Sequence, residues 1–318
     1  MRKVLITGAA GFIGSHLCDI FVKKGYYTIG IDNFITGTPE NISHIKNQSN
    51  FEFIKQDIIK SNSVEEISHH IEGKIDLILH FASPASPVDY INHPLETMKV
   101  NSIGTLNMLD LACKNKSRYL LASTSEVYGD PNIHPQIESY WGNVNPVGPR
   151  SVYDEAKRFS EALSFSYYKE FGLDARIIRI FNTYGPRMKA NDGRVIPQFI
   201  TQALNGEKIT VYGNGSQTRS FCYVDDLIDG IYLFSTKKNL QGEIINMGNH
   251  HESSILELAN LILDKTSSKS QIIFKPLPED DPQQRCPDIT KINKLISWQP
   301  QIDLEDGIEK TINFFSTN

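Results

Sequence analysis

An apolar run, Lys3-Val4-Leu5-Ile6-Thr7, passes directly into Gly8-Ala9-Ala10-Gly11-Phe12-Ile13-Gly14 and then into a helical pattern. Three glycines at spacing three let the chain turn sharply after a strand, let its backbone approach a pyrophosphate, and let the helix pack closely on the sheet. The helix N-terminus beyond them offers free N–H groups and the positive end of its dipole. A tight strand-to-helix turn also uses glycine for geometry alone. The triplet therefore gains its meaning from its place after the first strand and from the rest of the chain.

The rest of the chain has a rhythm. Tyr27–Asp32, Phe51–Asp57, Asp76–Ala82, Arg118–Ser123 and Ala175–Phe181 read as further strands, and near-continuous runs such as Leu77-Ile78-Leu79 suit strands covered on both faces. Helical patterns fall near residues 12–24, 95–115 and 152–171. Strand and helix in alternation, with short links, predict an α/β fold: a Rossmann-type doubly wound parallel sheet with right-handed crossovers. After about residue 183 the rhythm breaks at Gly185-Pro186-Arg187, Asp192-Gly193-Arg194 and Gly213-Asn214-Gly215-Ser216. Residues 221–249 return to the sheet through Ile244-Ile245-Asn246-Met247, residues 253–265 read as a helix, and Pro276–Pro287 as a charged, Pro-rich loop. The expected organisation is a nucleotide-binding domain over 1–185, rejoined by 221–249, and a smaller C-terminal substrate-binding lobe from 186–220 and 250–318.

Composition excludes some partners. A net charge of -5 argues against a nucleic-acid or anionic-membrane surface. No apolar run approaches the ~20 residues of a membrane span. Met1-Arg2-Lys3 leads straight into a strand, with no leader-like segment before it. Cys18, Cys113, Cys222 and Cys286 are scattered without C-x-x-C or zinc-like spacing, which fits reduced thiols in a cytoplasmic protein.

Asp32 ends the second strand, 18 residues beyond Gly14. A carboxylate there accepts hydrogen bonds from both hydroxyls of an adenosine ribose and repels the extra phosphate of NADP, so NAD is the expected cofactor. An Asx turn into Asn33 is the bland alternative.

Tyr153-Asp154-Glu155-Ala156-Lys157 sits in a predicted helix, and residues four apart share a face. A phenol is a poor base at neutral pH. A nearby ammonium, with the nicotinamide positive charge, lowers its pKa, so that Tyr153 takes a hydroxyl proton while hydride leaves the same carbon. At the end of the fifth strand lies Ser123-Thr124-Ser125-Glu126-Val127-Tyr128-Gly129. Sites in open α/β sheets lie beyond the carboxyl ends of the strands, so these hydroxyls and Glu126 are expected to face the cofactor.

With these pieces the chain resembles the extended short-chain dehydrogenase/reductase family over nearly all its length, and within it the UDP-glucuronate decarboxylases. The likeness is carried by His80-Phe81-Ala82-Ser83-Pro84-Ala85-Ser86-Pro87, Thr124–Pro131, His134-Pro135-Gln136 and Tyr140–Pro146. It continues through Gly148-Pro149-Arg150, Arg179–Met188, Asn191–Val195 and Gly215–Arg219. The resemblance implies that Tyr153 is the base, that Lys157 lowers its pKa and holds the nicotinamide ribose, and that Thr124 shares the bond to the reacting sugar hydroxyl. It implies NAD contacts at Gly8, Gly11, Phe12, Ile13, Gly14, Asp32, Asn33, Asp57, Ile58, Phe81, Ser83 and Lys99. Ser125, Asn182, Arg194, Tyr212, Gln217, Arg219 and Arg285 are implied for the nucleotide sugar, and guanidinium forks match phosphate oxygens independently of any family. For Arg187 simple surface solubility stands as the alternative.

Related sugar dehydratases carry an Asp-Glu pair where this chain has Ser125-Glu126. Serine is too weak an acid to help a hydroxyl leave, which counts against dehydration. Ala156 replaces a common glycine, and residues 58–75 form a longer link than in the animal enzymes. The reaction implied is NAD-dependent oxidation of UDP-glucuronate at C4, loss of CO2 from the resulting keto acid, and return of hydride to give UDP-xylose. No metal is needed, because the ketone is the electron sink. Glu126 orients the sugar or moves a proton at C5, and Arg285 meets the diphosphate or the carboxylate. A UDP-glucuronate 4-epimerase, a 4,6-dehydratase and a non-catalytic NAD-sensing protein are the rival readings. Family resemblance also implies a homodimer, with the helices around 95–115 and 152–171 pairing across a two-fold axis.

Overall fold

The computed structural model describes residues 1–71, 73–191, 193–277 and 284–317. Residue 72 of the 58–75 link, Asp192, and residues 278–283 of the Pro-rich loop lie outside the described residues.

Seven strands form the central sheet: β1 (Lys3–Thr7), β2 (Tyr27–Asp32), β3 (Phe51–Lys55), β4 (Leu77–His80), β5 (Arg118–Thr124), β6 (Ala175–Ile180) and β7 (Ile244–Met247). Their order is β3-β2-β1-β4-β5-β6-β7, and every neighbouring pair is parallel. This is the Rossmann-type doubly wound arrangement. Strand order reverses between β1 and β4, which opens a crevice beyond their carboxyl ends.

The sheet is covered on both faces. Along β1, Val4 and Ile6 pack into one apolar cluster and Leu5 into the other; along β5, Leu120 joins the first and Tyr119 and Leu121 the second. The near-continuous apolar runs follow from that double burial. The first cluster extends through Phe199, Ile200, Leu258 and Ile262 of the helices Val195–Leu204 and Ile255–Thr266. Each such side chain contributes about 1.5–3 kcal/mol on burial.

Several strand ends differ from the sequence reading. β4 stops at His80: Phe81 N divides its bond between the carbonyl and the hydroxyl of Thr7, both at 3.2 Å, and Ala82 N turns to the same hydroxyl at 3.2 Å. β3 stops at Lys55, and Asp57 turns the chain by accepting from Ile59 N at 3.1 Å. The helix expected over 95–115 consists of Pro94–Lys99, a π turn at Val100–Gly104, and Thr105–Asn115. Of residues 221–249, only Ile244–Met247 enters the large sheet; Val224–Thr236 is a helix.

Beyond β6 the strands are short. Thr218–Ser220 pairs with Glu252–Ser254 on one side and with Gln284–Arg285 on the other, which sets Arg219 opposite Arg285. Ile209–Tyr212 pairs with Ile272–Lys275. Among the described residues no helix is long and apolar enough to cross a membrane.

Candidate active site

A cavity of about 1180 Å³ lies beyond the carboxyl ends of β1, β4 and β5, between the sheet and the C-terminal elements. Its floor is the glycine loop. Gly8 has φ +74°, and a Cβ there would lie 2.8 Å from the backbone carbonyl of Phe81. A Cβ on Gly14 would overlap the carbonyl of Gly8, so the helix Phe12–Lys23 starts against the loop only because both residues lack side chains.

Asp32 is buried, and burial pushes its carboxyl pKa up while the amides of Phe34 and Ala10 pull it back. Ala10 N donates to one carboxylate oxygen at 3.0 Å and Phe34 N to the other at 2.8 Å. The bond to Phe34 is an Asx turn, and that turn aims the carboxylate into the cavity wall. Each oxygen keeps lone pairs for a vicinal diol, which fits an adenosine ribose. Asn33 donates to Asp57 at 3.2 Å, and both line the same end with Ile58.

The helix Ser151–Phe171 brings Tyr153 and Lys157 to the opposite end. Tyr153 is hydrogen-bonded to Thr124, and Lys157 Nζ lies 5.8 Å from the Tyr153 ring centroid. Lys157 donates to Ala122 O at 2.9 Å. Burial pulls the Lys157 ammonium down to about 7, with Glu161 partly offsetting. The expected fall in the Tyr153 pKa is not found in the protein alone. Burial pushes the phenol well above its usual range, Glu126 adds to that, and only the Thr124 bond opposes it. A low-dielectric site disfavours the phenolate until further positive charge is present. Tyr90 stacks on Tyr153, with ring centroids 5.1 Å apart and planes 7° from parallel, and its buried hydroxyl has no hydrogen-bond partner among the described residues.

Glu126 is held by two arginines from distant parts of the chain. Arg150 donates to one carboxylate oxygen at 2.6 Å, and Arg285 donates to the other and to Gly129 O at 2.9 Å. Burial opposes the Glu126 charge, but Arg285 and Arg150 outweigh it and hold the carboxyl down at about 2. Ser125, beside it, is buried in the cavity wall. Sequence reasoning did not assign roles to Tyr90 or Arg150. Arg150 carried a signal in its place one turn before Tyr153; Tyr90 carried none.

Asn182, Arg194, Tyr212, Gln217, Arg219 and Arg285 all line the far wall. The Arg194 guanidinium lies 5.9 Å from the ring centroid of Phe12, so a residue expected for the sugar nucleotide touches one expected for the cofactor. Gln217 donates to Tyr212 O at 2.7 Å, and Arg219 to Thr218 O at 2.8 Å. Arg187 lines the cavity and donates to Asp19 of the cofactor-side helix at 2.7 Å, a built interaction rather than a solubility charge. Phe12, Ile13, Phe81 and Ser83 complete the wall. Lys99 does not: it is exposed on the helix Pro94–Lys99 and lies outside the lining.

The cavity thus has a glycine floor, a buried carboxylate at one end and a Thr-Tyr-Lys group at the other. Known proteins share the sequence and the fold. Residues 5–311 match the GDP-mannose 4,6 dehydratase family. UDP-glucuronic acid decarboxylase 1 of Danio rerio is 50% identical over 315 residues, covering 99% of this chain and 73% of that protein. UDP-glucuronic acid 4-epimerase from Bacillus cereus, solved with UDP-glucuronic acid and NAD, superimposes with a TM-score of 0.89 at 31% identity over 99% of both chains. UDP-glucose 4-epimerase from Thermotoga maritima gives a TM-score of 0.91 at 28% identity over 99% of both chains. The chain belongs to the GDP-mannose 4,6 dehydratase family, within the group that holds the UDP-glucuronic acid decarboxylases.

Proposed function

We propose that this protein is an NAD-dependent enzyme that decarboxylates UDP-glucuronate to UDP-xylose. The observation that carries the reading is the meeting, in one cavity, of the Thr124–Tyr153–Lys157 group with a glutamate fixed between two arginines. The 50% identity to a UDP-glucuronic acid decarboxylase supports the substrate. Residues 186–220 and 250–318 act as the sugar-nucleotide lobe.

Gly8, Gly11, Phe12, Ile13, Gly14, Asp32, Asn33, Asp57, Ile58, Phe81 and Ser83 would hold NAD, which supplies a reversible hydride acceptor for C4 of the sugar. Tyr153 takes the proton of the 4-hydroxyl, and Thr124 shares that hydrogen bond. The carboxylate then stands β to a ketone, and CO2 leaves as electrons flow into the carbonyl oxygen; the enolate takes a proton from water at C5, and the hydride held by the bound cofactor would return to C4 as Tyr153 gives its proton back to the 4-oxygen. Thr124 and the protonated Tyr153 donate to the developing oxyanion. Glu126, with a pKa of about 2, stays ionised; it accepts from sugar hydroxyls and does not deliver protons. Arg194, Arg219 and Arg285 meet the diphosphate and the sugar carboxylate. Ser125 leaves no acid to drive dehydration.

The similarity to a UDP-glucuronic acid 4-epimerase favours one second reading, epimerisation with the carboxylate retained. Incubation with UDP-glucuronate and NAD+, followed by product NMR, decides: a pentose with released CO2 supports decarboxylation, and a hexuronate epimer refutes it.

We further propose a homodimer. Leu95, Met98, Ile103, Leu106 and Phe159 are exposed on the two helical segments expected to pair, a row of apolar groups that a second copy would cover. The four cysteines are free and three of them are buried, which suits a reducing, cytoplasmic setting.

A further inference from the structure

A chain of buried hydrogen bonds runs behind the catalytic group without touching the cavity. Thr7, His80, Thr105, Ser160 and Asn101 are all buried, at 0%, 2%, 0%, 0% and 0% exposure, and none lines the cavity wall. Thr7 Oγ1 lies 2.8 Å from His80 Nδ1, and His80 Nε2 lies 3.1 Å from Thr105 Oγ1. Thr105 Oγ1 lies 3.4 Å from Ser160 Oγ, and Ser160 Oγ donates to Asn101 O at 2.5 Å.

The direction of the chain follows from counting donors. Thr7 Oγ1 accepts from the Ala82 N–H and, together with the Thr7 carbonyl, from the Phe81 N–H, each at 3.2 Å, which engages both of its lone pairs. Its own proton must then go to His80 Nδ1. That leaves His80 as the neutral tautomer with its proton on Nε2, donating to Thr105. Burial, with the Lys157 charge adding, pulls the imidazole down to about 3 and keeps it neutral. Thr105 donates to Ser160, and Ser160 ends the chain on the carbonyl of Asn101 at 2.5 Å, with the carbonyl of Ala156, a turn earlier on its own helix, a second acceptor at 3.0 Å.

The ends of this chain matter more than its middle. Thr7 is the last residue before Gly8, in the loop proposed to seat the cofactor. Asn101 sits in the π turn Val100–Gly104, an irregularity often retained at functional sites, and its side chain donates to Ser83 Oγ at 2.9 Å in the cavity wall. Ser160 lies one turn beyond Lys157 on the helix that also carries Tyr153.

We propose that His80 and Thr105 are positioning residues for the reaction: the one-way chain from Thr7 to Asn101 fixes the height of the Tyr153–Lys157 helix against the cofactor loop. The chain binds no ligand. It sets the distance between the proton-accepting phenol and the group that receives hydride, a quantity to which rate is sensitive and ground-state binding is not. The inference rests on the assignment of Tyr153 as the base.

Thr105→Val keeps the side-chain volume and removes the hydroxyl, cutting the chain in the middle; Thr105→Ser restores it. We expect Thr105→Val to lower kcat about tenfold, with KM for UDP-glucuronate and Kd for NAD unchanged. Thr105→Ser should stay within about twofold of the parent enzyme. Ser160→Ala cuts the chain one link later and carries the same expectation, which answers the question should Thr105→Val not fold. The double variant should fall no further than the worse single one, because a chain once cut has nothing more to lose. Equal losses in the Val and Ser variants, parental kcat in Thr105→Val, or losses that multiply in the double variant overturn the proposal. Turnover retained by Tyr153→Phe would sink the base assignment instead, a result the chain variants do not mimic.

Discussion

Lys157 is a costly residue, and the cost is measurable. Its ammonium is buried with one hydrogen bond, to Ala122 O at 2.9 Å, and its pKa falls from 10.5 to about 7. Between those values the unfolded chain binds a proton that the folded chain does not, so stability rises with pH from about 7 toward 10.5. A drop of about 3.5 pKa units corresponds to about 5 kcal/mol of native-state destabilisation, fully present below pH 7 and absent above the unfolded value. Lys157→Met removes the charge and keeps the length. It forfeits the bond to Ala122 and leaves that carbonyl less satisfied, at about 1–3 kcal/mol. The net expectation is a variant about 2–4 kcal/mol more stable at pH 6–7, with Tm raised by about 4 °C and turnover abolished. Urea unfolding of both proteins across pH 6–9 provides the test. The parent should gain stability over that window relative to the variant, and the difference isolates Lys157 from every group the two proteins share. A variant less stable than the parent at pH 6, or parallel pH curves, would show that Lys157 is not carrying a suppressed charge.

The other expectations are simpler. Tyr153→Phe should abolish turnover on UDP-glucuronate while NAD binding, read by calorimetry, is retained. Arg285→Met removes the largest of the three arginine charges acting on Glu126, those of Arg285, Arg150 and Arg219, so its carboxyl pKa should rise from about 2. The acid limb of kcat/KM should move upward with it, and kcat/KM at neutral pH should fall about a hundredfold; an unmoved acid limb would separate Arg285 from Glu126. Gly14→Ala drives a methyl group into the Gly8 carbonyl and should lose cofactor binding before it loses secondary structure.

How much of this was written in the sequence depends on how far apart the partners lie. The strand, glycine loop, Asp32 and the Tyr153/Lys157 spacing are local, and local patterns carry their own geometry. Strand ends were less legible. The capture of Phe81 N and Ala82 N by the Thr7 hydroxyl depends on two strands separated by some seventy residues meeting at one level. The π turn at Val100–Gly104 adds no residue type that a regular helix would refuse, so nothing in the sequence announces it. Lys99 was expected at the cofactor, and its own surroundings in the sequence do not report that the helix leaves it exposed and off the cavity lining. The pairing of Glu126 with Arg285 spans 159 positions, and no periodicity reports it.

That long pairing has a consequence for the order in which the protein gains its parts. The glycine loop, Asp32, Tyr153 and Lys157 are all complete within the first half of the chain, but Glu126 acquires its second cation only when Gln284–Arg285 lies down beside Thr218–Ser220. During synthesis the residues proposed to seat the dinucleotide therefore emerge well before the second arginine that fixes Glu126.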